Sequence, residues 1–162
     1  MVGMAEPEAL KWSTDNCRIS RSLDVIGDRW SLLVLREVFA GVRRFDQLTV
    51  RTHIPRQVLS ERLDRLTAAG VLRHEPYQDP GQRTRYEYRP TQMGLDLYPV
   101  FVALQQWGDA YLGDDAGPPQ EFVHRDCGAE LDLVLRCRAG HKVEDNRQVA
   151  GRLGPGARRR TA

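Results

Sequence analysis

Four side chains toward the end of the sequence have the types and spacing of metal ligands. His124, Cys127, Cys137 and His141 form H-x2-C-x9-C-x3-H, and imidazole nitrogen with thiolate sulfur is the donor set that tetrahedral zinc takes. Gly128, directly after Cys127, allows a tight knuckle at the first pair. Because all four positions are protein groups, the implied site is closed and structural rather than catalytic. The second half lacks the C-x2-C spacing of a zinc ribbon, so a metal-free hairpin with two incidental thiols is the competing reading. Structural zinc is the only cofactor the residue types point to. The third cysteine, Cys17, makes the count odd, which argues against a disulfide framework and leaves a free thiol beside the metal pair.

A second chemistry lies in the arginines. The 162 residues carry 24 basic and 22 acidic side chains, a net charge of +2, yet between Gly41 and Pro90 ten arginines stand against six acids. Guanidinium forks suit phosphates and base edges, although a general preference for arginine would give the same bias. Within this stretch, IPRQVLSERLDRLTAAG (54–70) places Val58, Leu59, Leu63 and Leu66 at helical spacing, with Pro55 in the first turn and Gly70 as the stop. Arg56, Gln57, Ser60 and Arg62 decorate the rest of that helix. A solvated face with an ordinary Glu61–Arg65 pair is the alternative to a reading surface.

Enzyme chemistry finds no support. The sequence has no Gly-rich phosphate loop, nucleophile elbow or H-E-x-x-H, and neither His53 nor His74 has an evident catalytic partner. A hydrophobic fraction of 41% and a charged fraction of 28% fit a soluble globular chain. No apolar run approaches the roughly 20 residues a bilayer requires. The stretch MVGMAEPEALKWSTD has neither an apolar core nor a basic leader, and a cytoplasmic location without membrane contact is expected.

The elements that must position these residues follow from period and punctuation. SRSLDVIGDRWSLLVLREVFAG reads as one amphipathic helix, capped by Ser20 or Ser22 and stopped at Gly41. FDQLTVRT gives a short second helix with Phe45 and Leu48 inward, and the 54–70 stretch a third. VLRHEPYQ and RTRYEYRP form a hairpin about DPGQ. A long helix follows, capped by Thr91, bent or divided at Pro99 and ending near Gly113. The expected organisation is a flexible arm over 1–15, a unit of helices and a hairpin over 16–113, a linker over 114–121, a small zinc-ribbon-like hairpin over 122–150 and a disordered basic tail over 151–162.

Three helices and a hairpin make a mainly α fold with a small β-hairpin, the order of a winged helix-turn-helix. In that architecture the third helix enters a DNA major groove, where arginine addresses guanine and glutamine addresses adenine. Arg56, Gln57, Ser60 and Arg62 would then read bases, while Arg43, Arg44, Arg83 and Arg85 would meet phosphates and supply salt dependence. The rival is a winged helix serving as a protein-interaction or dimerisation module without sequence-specific DNA binding.

At these residues the chain resembles a known family. CRISRSLDVIGDRWSLLVLREVFAGVRRFDQL and the run from IPRQVLSERL to VALQQWG, from Cys17 to about Gly108, are similar to the HxlR-type winged helix-turn-helix family of bacterial transcriptional regulators. Its linked motifs are the cysteine, D-V-I-G-x-x-W, R-F-D-x-L, V-L-S-x-R-L-x-x-L and the final W-G. Arg89 and Pro90 depart from the usual wing exit. The resemblance implies a homodimer formed by the first and last helices, bound to an inverted-repeat operator, with Trp30, Tyr98, Phe101, Leu104 and Trp107 at the dimer interface. Repression is the expected sense, since no activation domain is recognisable. In some members a cysteine at this place senses quinones, aldehydes or oxidants. Cys17, with Arg18 and Arg21 nearby, is the candidate sensor thiol for a small-molecule or redox effector. A small buried hydrophobe is the alternative.

Overall fold

The structure is a computed structural model that describes residues 8–160. The helix expected over 20–41 is two: α1, Arg18–Ile26, and α2, Arg29–Phe39. Gly27 makes the break, because its N–H closes on Leu23 O at 2.8 Å and a Cβ there would stand 2.5 Å from the same oxygen. Asp28 then starts α2. Its Oδ1 accepts from the backbone N–H of Trp30 at 3.1 Å and of Ser31 at 3.0 Å, and the Ser31 hydroxyl donates to Oδ2 at 2.5 Å. A carboxylate in this position satisfies N–H groups that a helix start leaves unpaired. The N-cap of α1 is Cys17 instead of Ser20 or Ser22.

Downstream, the periodic stretches fold where spacing put them. They form α3, Phe45–Thr52, α4, Arg56–Ala68, β1, Leu72–Tyr77, and β2, Arg85–Pro90. The two strands pair antiparallel with Leu72 opposite Pro90 and Tyr77 opposite Arg85. The core lies under this unit: Val34, Leu35 and Val38 of α2 meet Leu48 of α3, Ile54, and Leu59, Leu63 and Leu66 of α4. Full burial of each such side chain is worth about 1.5–3 kcal/mol.

The expected long helix is divided at Pro99, which sits in the first turn of α6, Tyr98–Leu112, after the single turn of α5, Gln92–Leu95. Thr91 caps α5 by accepting from Gly94 N–H at 3.2 Å and donates its hydroxyl to Gly70 O at 2.6 Å. Gly94 lies so close to Val71 O that a Cβ would come within 2.4 Å. Tyr98 stacks on Phe39 at 4.4 Å, and Phe101 meets the same ring edge-on at 5.0 Å.

The C-terminal third departs further from expectation. In place of a continuous hairpin, two isolated bridges, Val123–Glu130 and Arg136–Lys142, close short turns. This segment lies on α6: Gln105 Nε2 donates to Gln120 O at 2.7 Å, and Phe122 meets Tyr98 edge-on at 6.1 Å. The expected loose arm and disordered tail hold each other. Trp12 bridges Arg159, Ser13 N–H donates to Arg158 O at 2.9 Å, Arg160 N–H donates to Lys11 O at 2.9 Å, and Asn16 Nδ2 donates to Gly156 O at 2.6 Å. Edge backbone groups of two polar segments thereby satisfy one another, which composition alone does not reveal. Residues 1–7 of the arm and 161–162 of the tail lie outside the described residues.

Two carboxylates tie the helices together. Asp28 also accepts from Arg62 Nε of α4 at 3.0 Å, with Arg65 Nη1 at 3.7 Å. Glu37 of α2, only 1% exposed, accepts from Arg36 Nη2 at 2.6 Å and Arg51 Nε of α3 at 2.9 Å. Burial by itself raises both carboxyls, but hydrogen bonds from Ser31 and Arg62 on Asp28, and from Arg51 and Arg36 on Glu37, hold each below its ordinary range. Folded values below unfolded ones mean that this stability is complete above the unfolded-state range and is lost as pH falls through the folded values. Urea denaturation should therefore show stability declining below about pH 4, with a shallower decline in Asp28→Asn and Glu37→Gln. At neutral pH, Asp28→Ala should cost about 1–2 kcal/mol, and Arg62→Ala in the Asp28→Ala background clearly less than Arg62→Ala alone. Additive losses would show that the two side chains are not coupled.

Candidate nucleic-acid interface

The turn between α3 and α4 sets which side chains reach outward. His53 takes a left-handed conformation, φ 54°, its N–H donates to Thr49 O at 3.0 Å, and Pro55 begins α4. With Leu59, Leu63 and Leu66 fully buried, the opposite face near the N-terminus of α4 carries Arg56 and Gln57. Arg56 is two-thirds exposed, lies 4.8 Å over the Phe45 ring and shares Asp46 Oδ1 at 3.3 Å through both terminal nitrogens. Gln57 Nε2 donates to Glu61 Oε1 at 3.2 Å. Ser60 is half-buried at the margin of this face.

Arg62 does not join them. It falls three residues after Leu59 and four before Leu66, so the helix turns it toward α2, where Asp28 holds it at 24% exposure. In this structure Arg62 ties α4 to α2.

The phosphate-facing set is likewise divided. Arg43 is half-buried, its carbonyl accepts from Tyr88 N–H at 2.9 Å, and its buried Nε has no hydrogen-bond partner among the described residues. Arg44 lies 4.0 Å over the Tyr77 ring and pairs with Asp79 at 3.2 Å through both terminal nitrogens, latching the start of α3 to the wing. Arg83 and Arg85 are exposed at the wing tip; among the described residues neither has an ion-pair partner. Sequence reasoning missed the acids: Asp46, Asp79 and Glu61 already occupy arginine or glutamine donors. These pairs are exposed, and such pairs contribute only about 0–1 kcal/mol, so a phosphate or base edge can replace them. Arg51, 60% exposed, is committed to the buried Glu37.

The other expected sites are distributed as follows. Cys17 is half-buried at the start of α1, its N–H donating to Thr14 O at 2.9 Å. His124 Nδ1 and Cys127 Sγ are 3.2 Å apart, the closeness two ligands of one zinc would need. The second knuckle is closed by Cys137 N–H donating to His141 O at 3.0 Å. Yet no group of three or more His, Cys, Asp or Glu among the described residues is placed to hold a metal ion. The residues fit half a tetrahedral site. Of the expected dimer residues, Phe101 is core and Tyr98 is engaged by Phe39, while Trp30 packs against the core with Arg29 over its ring at 5.2 Å. Leu104 and Trp107 are open, 48% and 57% exposed, as are Ile19 and Leu23 on α1. No helix among the described residues is long and apolar enough to cross a membrane.

A helix-turn-helix whose second helix stands free at its N-terminus, followed by an arginine-tipped hairpin, defines a winged helix-turn-helix protein of the transcriptional-regulator class. The chain belongs to the HxlR-like helix-turn-helix family, whose profile matches residues 25–116. The HTH-type transcriptional regulator Rv3095 of Mycobacterium tuberculosis is 42% identical over 144 residues, 89% of this chain and 90% of that protein. The crystal structure of PA1607, a candidate transcription factor, superposes with a TM-score of 0.73 at 32% identity, over 87% of this chain and 96% of the other. The redox regulator HypR in its oxidised form has a TM-score of 0.52 at 27% identity, over 61% of this chain and 99% of its own. The first two likenesses extend well beyond the family region.

Proposed function

We propose that this protein is a transcriptional repressor that binds an inverted-repeat operator as a homodimer, with Arg56 and Gln57 reading base edges and Arg83 and Arg85 meeting phosphates. The observation that carries this reading is the exposed N-terminal face of α4 flanked by a wing whose tip arginines have no ion-pair partner among the described residues. Dimerisation is supported by the open apolar faces of α1 and α6, where Ile19, Leu23, Leu104 and Trp107 are all 48% exposed or more. A two-fold pair would present its two α4 helices about one DNA turn apart.

The experiment is a binding titration on the upstream intergenic duplex and on random duplex across salt concentrations. Arg56→Ala or Gln57→Ala should narrow the preference for operator by about 1–3 kcal/mol. Arg83→Ala should weaken both duplexes alike and reduce the salt slope by about 0.9. If Arg56→Ala and Arg83→Ala behave identically on the two duplexes, the division of roles fails. Equal affinity of the wild type for both would instead point to a protein-interaction module.

Control of DNA binding by an oxidant or electrophile at Cys17 belongs to the same proposal. Its support is the placement of the thiol at the N-cap of α1, where an adduct must be accommodated beside a proposed dimer helix, and the likeness to a redox regulator. Diamide or methylglyoxal should weaken operator binding of the wild type and leave Cys17→Ser unaffected. Equal loss in both proteins removes the sensor.

For the C-terminal segment, we propose structural zinc held by His124, Cys127, Cys137 and His141, with the second knuckle drawn onto the first. About one zinc per purified chain is expected by metal analysis, falling in Cys137→Ser. A content well below one per chain would leave the two knuckles as metal-free turns.

A further inference from the structure

A cavity of about 290 Å3 opens where α1 passes the joint between α4 and the wing. Ile26, Val71 and Leu97 form its floor, Met93 stands at one rim, and Arg18 and Arg21 form the other. Ile26 and Val71 are 8% and 1% exposed, so the floor of this open groove is continuous with the core. The two arginines are three residues apart on one side of α1, both are exposed, and neither has an ion-pair partner among the described residues. They differ in this from Arg44, Arg51, Arg56 and Arg62, each of which has a carboxylate. An apolar floor beside two unneutralised guanidiniums fits a ligand with an aromatic body and a carboxylate head.

We propose that this cavity binds an aromatic carboxylate, its ring on Ile26, Val71 and Leu97 and its carboxylate on Arg18 and Arg21. Its position also gives it leverage. Val71 links α4 to β1, and Val71 O is fixed by Thr91 N–H at 3.0 Å. Gly94 packs against the same carbonyl without room for a side chain. A ring seated over this floor therefore bears on the joint that sets α4 against the wing. That this leverage changes operator affinity rests on the DNA-binding reading above; occupancy of the cavity does not.

Calorimetric titration of the full chain with 2-naphthoate, in the absence of DNA, tests occupancy. Saturable binding of one equivalent per chain is expected, with the uncharged 2-naphthamide at least tenfold weaker. Arg18→Gln combined with Arg21→Gln should reduce naphthoate affinity at least tenfold and remove its advantage over the amide. Val25→Trp, which fills the cavity from α1, should abolish binding of both, and a thermal melt establishes that each variant is folded. Absence of saturable binding, equal affinity for acid and amide, or indifference to the arginine pair overturns the proposal. Binding that passes these tests while leaving operator affinity unchanged would retain the site and remove its leverage on DNA.

Discussion

The carboxylate of Asp28 is the point at which the orientation of α4 is decided. One oxygen closes the start of α2 through the N–H groups of Trp30 and Ser31 and also takes Arg62, while the other takes the Ser31 hydroxyl and lies near Arg65. The leucine stripe of α4 lets the helix roll or slide by small amounts on an apolar surface, since dispersion contacts are non-directional. Charge-assisted hydrogen bonds are directional, and they pin the middle of α4 to the first turn of α2. With that rotation fixed, Arg56 and Gln57 have one direction in which to point. Glu37 does the same for α3 through Arg51, so both helices of the helix-turn-helix are referenced to α2 by a carboxylate.

This use of charge explains why a local excess of arginine overstates what is available to a polyanion. Of the ten arginines between Gly41 and Pro90, seven are paired with acids, leaving Arg43, Arg83 and Arg85 without an ion pair among the described residues. The pairs are of two kinds. Arg62 is largely covered and acts as a structural strut, whereas Arg56 with Asp46 is solvated on both sides and exchanges partners at little cost. The first kind sets geometry and the second keeps a groove-facing arginine preoriented.

Most of the winged unit was legible in the sequence because its signals are local. The periodicity of Leu59, Leu63 and Leu66, the Pro55 start and the Thr91 cap each announce an element within a few residues. The break at Gly27 escaped because Leu23, Ile26 and Trp30 keep helical spacing across it, although an aspartate with a serine three residues later is itself a helix-start pattern. The tie between Arg62 and Asp28 was not legible because residue type shows what a side chain can bind and not which partner reaches it first. Tyr98 and Phe101 likewise meet a partner within the protomer that their types do not announce, the ring of Phe39. The candidate metal set reads as four ligands in sequence and as one close pair in space, since spacing constrains each knuckle but not the approach of the two.

The pairing of Trp12 with Arg159 joins two stretches of backbone that lie far apart in sequence. The entropy of closing a loop grows with its length, so a few hydrogen bonds cannot hold such a contact until the helices between have already shortened the distance. During synthesis the segment leading into Cys17 must therefore wait, with its edge uncovered, until residues 156–160 have emerged from the ribosome. Ser13 and Asn16, just ahead of the thiol, gain their distant partners only after the helices have packed, which makes this join a late step in assembly.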